Sequence, residues 1–164
     1  MLSMSKRVDY ALLALTHLAV TQAGDPKRLV NTKEIAEQYE LPVELLAKIL
    51  QTLAKNGIVA SYPGPTGGYK LLRSPAAISV AEVLSVLDGP LSILQCSNGR
   101  GDSCKQFNRC TIRDPLAEIE RRVKNLLQEM TLEDISGLNT ATGSKWPRFE
   151  DYSARRFAVG LPLG

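Results

Sequence analysis

Three observations predict a mainly α-helical fold with one small β-hairpin. Apolar residues recur every three or four positions in several segments, and capping residues stand at the starts of most of them. One β-prone run is followed by a Pro/Gly-rich turn and a second short run. The 164 residues suit one compact body with an appended helix or arm and are too few for two enzyme domains. Apolar residues make up 44% and charged residues 23%, as in soluble globular proteins. No apolar run approaches the roughly 18 residues of a membrane span. The first twenty residues contain Asp9 and read as an amphipathic helix, unlike a secretory signal, so the expected location is the cytoplasm with no membrane partner.

The first helix is predicted from Ser5 to about Gln22, with Val8, Leu12, Leu15 and Ala19 on one face. Asn31 with Glu34 reads as a capping box opening a short second helix, Thr32 to Tyr39. After the turn Glu40-Leu41-Pro42 a third helix is expected with Pro42 at its first position, where the missing N–H costs nothing. It carries Leu45, Leu46, Ile49, Leu50 and Leu53 and stops at Asn56-Gly57. Ile58 to Tyr62 and Tyr69 to Leu72 are the two strands of the hairpin, joined by Pro63 to Gly68. Ser79 with Glu82 opens a fourth helix that Gly89-Pro90 closes. Cys96 to Cys110 is a polar loop. Asp114-Pro115 then starts a long helix whose stripe Leu116, Ile119, Val123, Leu126 and Met130 is too apolar for a solvated face, so that a second copy or the chain's own core covers it, and Thr131 to Asp134 starts one more short turn. From Gly137 onward no period appears, and poor order is expected.

Two short helices joined by a tight turn and followed by a hairpin with a glycine loop form the plan of a winged helix-turn-helix. Its third helix is narrow enough for a DNA major groove, and the hairpin tip can approach phosphates. Backbone N–H groups of Gly64, Gly67 and Gly68 are expected near phosphate oxygens because no side chain blocks them. Val43, Glu44, Lys48, Tyr62, Thr66, Tyr69 and Lys70 are the candidate contacts with double-stranded DNA. Charge agrees in sign: residues 1–75 hold nine Lys/Arg against six Asp/Glu, whereas residues 76–164 hold eleven of each. The same plan also serves protein-binding winged helices.

Three cysteines are an odd number, so they cannot all pair in one chain, and a reducing compartment disfavours structural disulfides. Cys96, Cys104 and Cys110 are separated by seven and five intervening residues, without the close pairs of structural zinc sites. A loop wrapping a larger inorganic cluster tolerates such spacing. Arg100, Lys105 and Arg109 favour the thiolate forms. The rival reading is a thiol–disulfide switch in which two cysteines pair on oxidation. An enzyme finds little support: the single histidine, His17, has no evident nucleophile partner, and no P-loop or dinucleotide motif appears.

Asp9-Tyr10-Ala11-Leu12, Lys55 to Val59, the wing Gly64-Pro65-Thr66-Gly67-Gly68-Tyr69 and the three-cysteine loop before a long helix stand in one order. Over about residues 1 to 135 this pattern resembles the Rrf2 family of bacterial transcription regulators, and within it the iron–sulfur subgroup of the IscR and NsrR type. The resemblance implies a homodimer whose long helices cross, with Leu116, Ile119, Val123 and Leu126 at the dimer interface and one reading head on each half of a pseudo-palindromic operator. It implies an iron–sulfur cluster, 4Fe-4S in preference to 2Fe-2S, on Cys96, Cys104 and Cys110. It also implies that Asp9 of the partner subunit supplies the fourth ligand, whereas as a plain residue Asp9 is a helix-start carboxylate favoured by the helix dipole. Such a regulator responds to redox, nitric oxide or iron–sulfur status. Pro63 replaces an arginine common before the wing glycine, and Pro42 and Glu44 replace small polar residues of some relatives, so the DNA sequence read is not implied. Four regions follow: 1–90, the winged helix-turn-helix; 91–111, the cysteine loop; 112–136, the dimerisation helix and short following helix; and 137–164, a tail.

Overall fold

The computed structural model describes residues 4–92 and 105–138. Within them the chain folds into six α-helices and one two-stranded antiparallel sheet: α1 Lys6–Gly24, α2 Thr32–Gln38, α3 Val43–Lys55, β1 Val59–Tyr62, β2 Gly68–Leu71, α4 Val80–Asp88, α5 Arg113–Glu129 and α6 Leu132–Ser136. The mainly helical class with one hairpin is the one predicted.

Helix α1 is the centre of the body. Ser5 caps it by accepting the Val8 N–H at 3.4 Å. Val8, Ala11, Ala14, Leu15, Leu18 and Ala19 are buried, so one α1 face mixes large residues with three alanines that let neighbours approach. α3, α4, α6 and β2 all pack on it. The core they share includes Ile35, Leu46, Ile49, Leu50, Leu53, Ile58, Ile78 and Leu132.

The helix-turn-helix differs in detail from expectation. Pro42 is the N-cap of α3 and lies outside it: its ψ of 114° is extended and its carbonyl accepts the first helical bond, from Leu46 N–H at 3.0 Å. The α2–α3 turn is made by Glu40 at φ 53°, a left-handed conformation uncommon for a non-glycine residue. Only half of each predicted capping box forms. Asn31 accepts the Glu34 N–H at 2.8 Å, but the Glu34 carboxylate bonds the Arg28 guanidinium at 2.6 Å. Ser79 accepts the Glu82 N–H at 3.2 Å while Glu82 pairs with Arg73. In both, a charge-assisted bond to arginine displaces the weaker return bond to backbone. The reciprocal box appears instead at Thr131 and Asp134, opening α6.

The hairpin register pairs Val59 with Leu71 and Tyr62 with Gly68. A third extended residue, Val30, joins β2 by exchanging both backbone bonds with Tyr69, at 3.1 and 2.8 Å. Two glycines owe their identity to this packing. A Cβ on Gly68 would lie 2.6 Å from the Val30 carbonyl oxygen, and one on Gly67 would lie 2.2 Å from that of Tyr62. Gly68→Ala should therefore destabilise the fold by about 2 kcal/mol, measured by urea unfolding. A midpoint equal to that of the wild type would contradict this close approach.

After α5 the chain returns to the body. Val80 N–H bonds the Met130 carbonyl at 2.9 Å, Leu132 N–H bonds the Ile78 carbonyl at 2.8 Å, and Leu132 is buried. The long helix thus packs directly on α4 and is anchored at its C-terminal end to α1 through α6. It starts at Arg113, one residue before Asp114, after a 3₁₀ turn at Phe107–Arg109. The tail from residue 139 and most of the cysteine loop lie outside the described residues.

Candidate nucleic-acid interface and cysteine site

Helix α3 is strongly two-faced. Leu46, Ile49, Leu50 and Leu53 are buried, whereas Val43, Glu44 and Lys48 are exposed. Gln51 and Lys55, which are not among the contacts expected from the sequence, are exposed on the same side. Their spacing of three and seven residues from Lys48 was the available signal. Thr52 turns its hydroxyl back onto the Lys48 carbonyl at 2.9 Å.

On the hairpin, Tyr62 and Thr66 are exposed, and Lys70 Nζ sits 5.3 Å from the centre of the Tyr62 ring. This cation–π contact holds the ammonium on the face of the wing away from the core. Tyr69 lies on the opposite face, half-buried against the core. The expectation for the wing glycines needs correction. Gly67 N–H is used inside the loop, bonding the Gly64 carbonyl at 3.0 Å, and Gly68 is buried. Gly64 alone of the three is exposed, at φ 110° with open space around it. The other two serve chain packing rather than ligand approach.

Of the proposed cluster ligands, Cys110 and Asp9 are described, and Cys96 and Cys104 lie outside the described residues. Cys110 is a free, half-buried thiol directly after the 3₁₀ turn, three residues before α5. Arg113 closes this turn, its guanidinium 4.8 Å from the Phe107 ring and bonded to the Phe107 carbonyl at 3.3 Å. Asp9 is exposed in the first turn of α1. Its carboxylate makes no hydrogen bond or ion pair among the described residues. His17 is engaged elsewhere: Nδ1 lies 3.3 Å from the Tyr39 hydroxyl, the two rings meet edge to face, and Nε2 is 3.8 Å from Glu34. It braces α1 against α2. Among the described residues no group of three His, Cys, Asp or Glu side chains stands together to hold a metal ion; three thiolates and one carboxylate would be a donor set of the chemistry an iron–sulfur cluster takes, with the carboxylate the harder ligand.

Leu127 on α5 and Met130 just after it pack against the core, whereas Ile119 and Leu126 stay 49% and 45% exposed. Ile112, just before the helix, is 61% exposed and seven residues ahead of Ile119. Leu116 and Val123 are half-buried between these positions. Apolar residues spaced alternately by four and three along one helix are the pattern of a helix–helix seam. Beside it, bonds from Arg121 and then Arg122 hold the Glu118 carboxyl well down, at about 2, so this flank keeps its charge.

The Rrf2 family model, described as an iron-dependent transcriptional regulator, matches residues 4–137. The chain belongs to the Rrf2 family. A helix-turn-helix transcriptional regulator of Rhodobacter capsulatus described as rrf2-like is 35% identical over 135 residues, covering 80% of this chain and 90% of that one. Among solved structures, the fold is similar to CymR, the global cysteine regulator of B. subtilis, at 27% identity and a TM-score of 0.67, covering 85% of this chain and 99% of that one. It is also similar to T. potens IscR, at 25% identity and a TM-score of 0.63, covering 92% and 96%. This Rrf2 protein is a transcriptional regulator. No helix among its described residues is long and apolar enough to cross a membrane.

Proposed function

We propose that this Rrf2 regulator binds a pseudo-palindromic site in double-stranded DNA as a cytoplasmic homodimer and senses redox, nitric oxide or iron–sulfur status through an iron–sulfur cluster. Cys96, Cys104 and Cys110 would hold the cluster, 4Fe-4S in preference to 2Fe-2S, together with Asp9 of the partner subunit. The observation that carries this reading is the carboxylate of Asp9, which stands exposed and without a partner among the described residues, at the start of the helix on which the whole reading head is packed. Held by these residues, a cluster would supply an iron centre open to attack by oxygen or nitric oxide.

The chain's own residues do the rest. Val8, Ala11 and Leu15 lock α1 into the same core as Leu46, Ile49 and Leu50 of α3, so the first turn of α1 and the reading helix move as one body. The exposed seam of α5 joins two such bodies. A small rotation at α1 therefore changes the separation of the two heads, and half-sites about one helical turn apart respond steeply to it. The second reading, a thiol–disulfide switch without a cluster, is favoured by the free Cys110 thiol beside Arg109.

DNA binding is tested by salt. The logarithm of the binding constant should fall linearly with that of salt concentration, by roughly 0.9 per phosphate contact. Lys48→Ala and Lys70→Ala should each weaken binding and flatten this slope. Affinity indifferent to salt, or to both substitutions, would remove α3 and the wing from the interface.

A further inference from the structure

The wing is fastened to the body along one edge of β2. Leu72 N–H bonds the Ile58 carbonyl at 3.0 Å across the hairpin, so the alternate N–H groups, those of Tyr69 and Leu71, face the other edge. Tyr69 N–H is taken by the Val30 carbonyl at 2.8 Å. Leu71 N–H donates to a side chain, Oε1 of Gln22, at 2.8 Å and across 49 residues of sequence. Gln22 stands near the end of α1, half-buried, in a recess shared with Ala19, Ala23, Leu71 and Arg73. Next to Leu71 on the strand is Lys70, whose ammonium lies over Tyr62 on the outward face.

We infer that Gln22 is a positioning residue for DNA binding: by tethering β2 to α1 it sets where the wing, and with it Lys70, meets the phosphates. The inference rests on the reading of the wing as a DNA contact. The geometry supplies the reason for a glutamine. A part-buried strand N–H that loses its partner must either stay unsatisfied or swing out to water, and only a side chain of this reach with an acceptor oxygen answers it. A four-residue strand with one tether near each end keeps one orientation, and with the Gln22 tether gone it pivots about Val30. The tether also gives α1 a second grip on the DNA-binding surface, about 20 Å along the helix from Asp9.

A double-mutant cycle separates this role from a merely stabilising one. Full-length wild type, Gln22→Met, Lys70→Ala and the double variant are titrated onto a fluorescein-labelled mixed-sequence duplex at low salt, with hydrogen exchange of the Leu71 amide read in parallel. Gln22→Met should weaken binding about threefold to tenfold and speed Leu71 exchange. In the Lys70→Ala background it should add almost nothing, because its effect is delivered through Lys70. Gln22→Glu, which keeps an acceptor oxygen, should retain slow exchange. Gln22→Ala, which lets water reach the N–H, serves the same cycle if the methionine variant does not fold. Losses that add independently, or unchanged affinity in both the Met and Ala variants, overturn the positioning role and leave the wing reading intact. If Lys70→Ala itself has no effect, the wing reading falls, and this inference with it.

Discussion

Replacing any one of Cys96, Cys104 or Cys110 with alanine should yield a protein that is colourless after anaerobic purification and has lost its iron and sulfide. Each substitution removes a thiolate from a set of only three, and the remaining two leave a cluster too many open positions. The expected loss is complete, which makes this the largest effect the account predicts. Asp9→Ala should behave differently, giving a cluster that forms but is more labile or spectroscopically altered, while His17→Ala should leave it unchanged, because His17 is already engaged with Tyr39 and Glu34. Mixed dimers locate the carboxylate. A chain carrying Asp9→Ala paired with a chain lacking all three cysteines keeps one cysteine loop facing an intact aspartate across the dimer, and should form one normal cluster. If that heterodimer shows only the altered cluster, the carboxylate acts within its own chain.

Ile119→Asp should raise the dimer dissociation constant by at least about a hundredfold, since twofold symmetry buries the new charge twice in an apolar seam. The single chain supplies the control. Ile119 is half exposed there, so the charge meets solvent in the monomer and the fold should persist. Sedimentation at low micromolar concentration, with a melting curve alongside, reads both quantities. A dimer that survives would return the exposed Ile119 and Leu126 to some other role.

The elements of the winged helix were legible because its signals are local. Ser5, Asn31, Ser79 and Thr131 each accept a bond from the helix they open, and Gly57 and Gly89 take positive φ where two of the helices end. What escaped the sequence depends on partners outside the element concerned, some of them far along the chain. Nothing near Glu34 or Glu82 says that Arg28 and Arg73 will claim their carboxylates. Nothing in the wing motif says that Val30 will press on Gly68 or that Gln22 will hold Leu71. The wing glycines were therefore read as openings toward phosphate when two of them are openings toward the chain's own backbone. At the candidate site, the exposed face of α3 was readable from periodicity alone. The cluster ligands were readable only from cysteine count, spacing and family likeness, since a site assembled from a loop and a second subunit leaves no period in one sequence.

The most direct test of the account is iron and acid-labile sulfide analysis of the wild-type protein purified without oxygen, read beside its visible absorption. The wild-type protein should be brown, with iron and sulfide in comparable amounts, both lost on exposure to oxygen or nitric oxide together with a change in DNA affinity. A colourless protein with neither element, whose DNA affinity changes with thiol oxidants alone, would contradict it and leave Cys96, Cys104 and Cys110 as a thiol–disulfide switch.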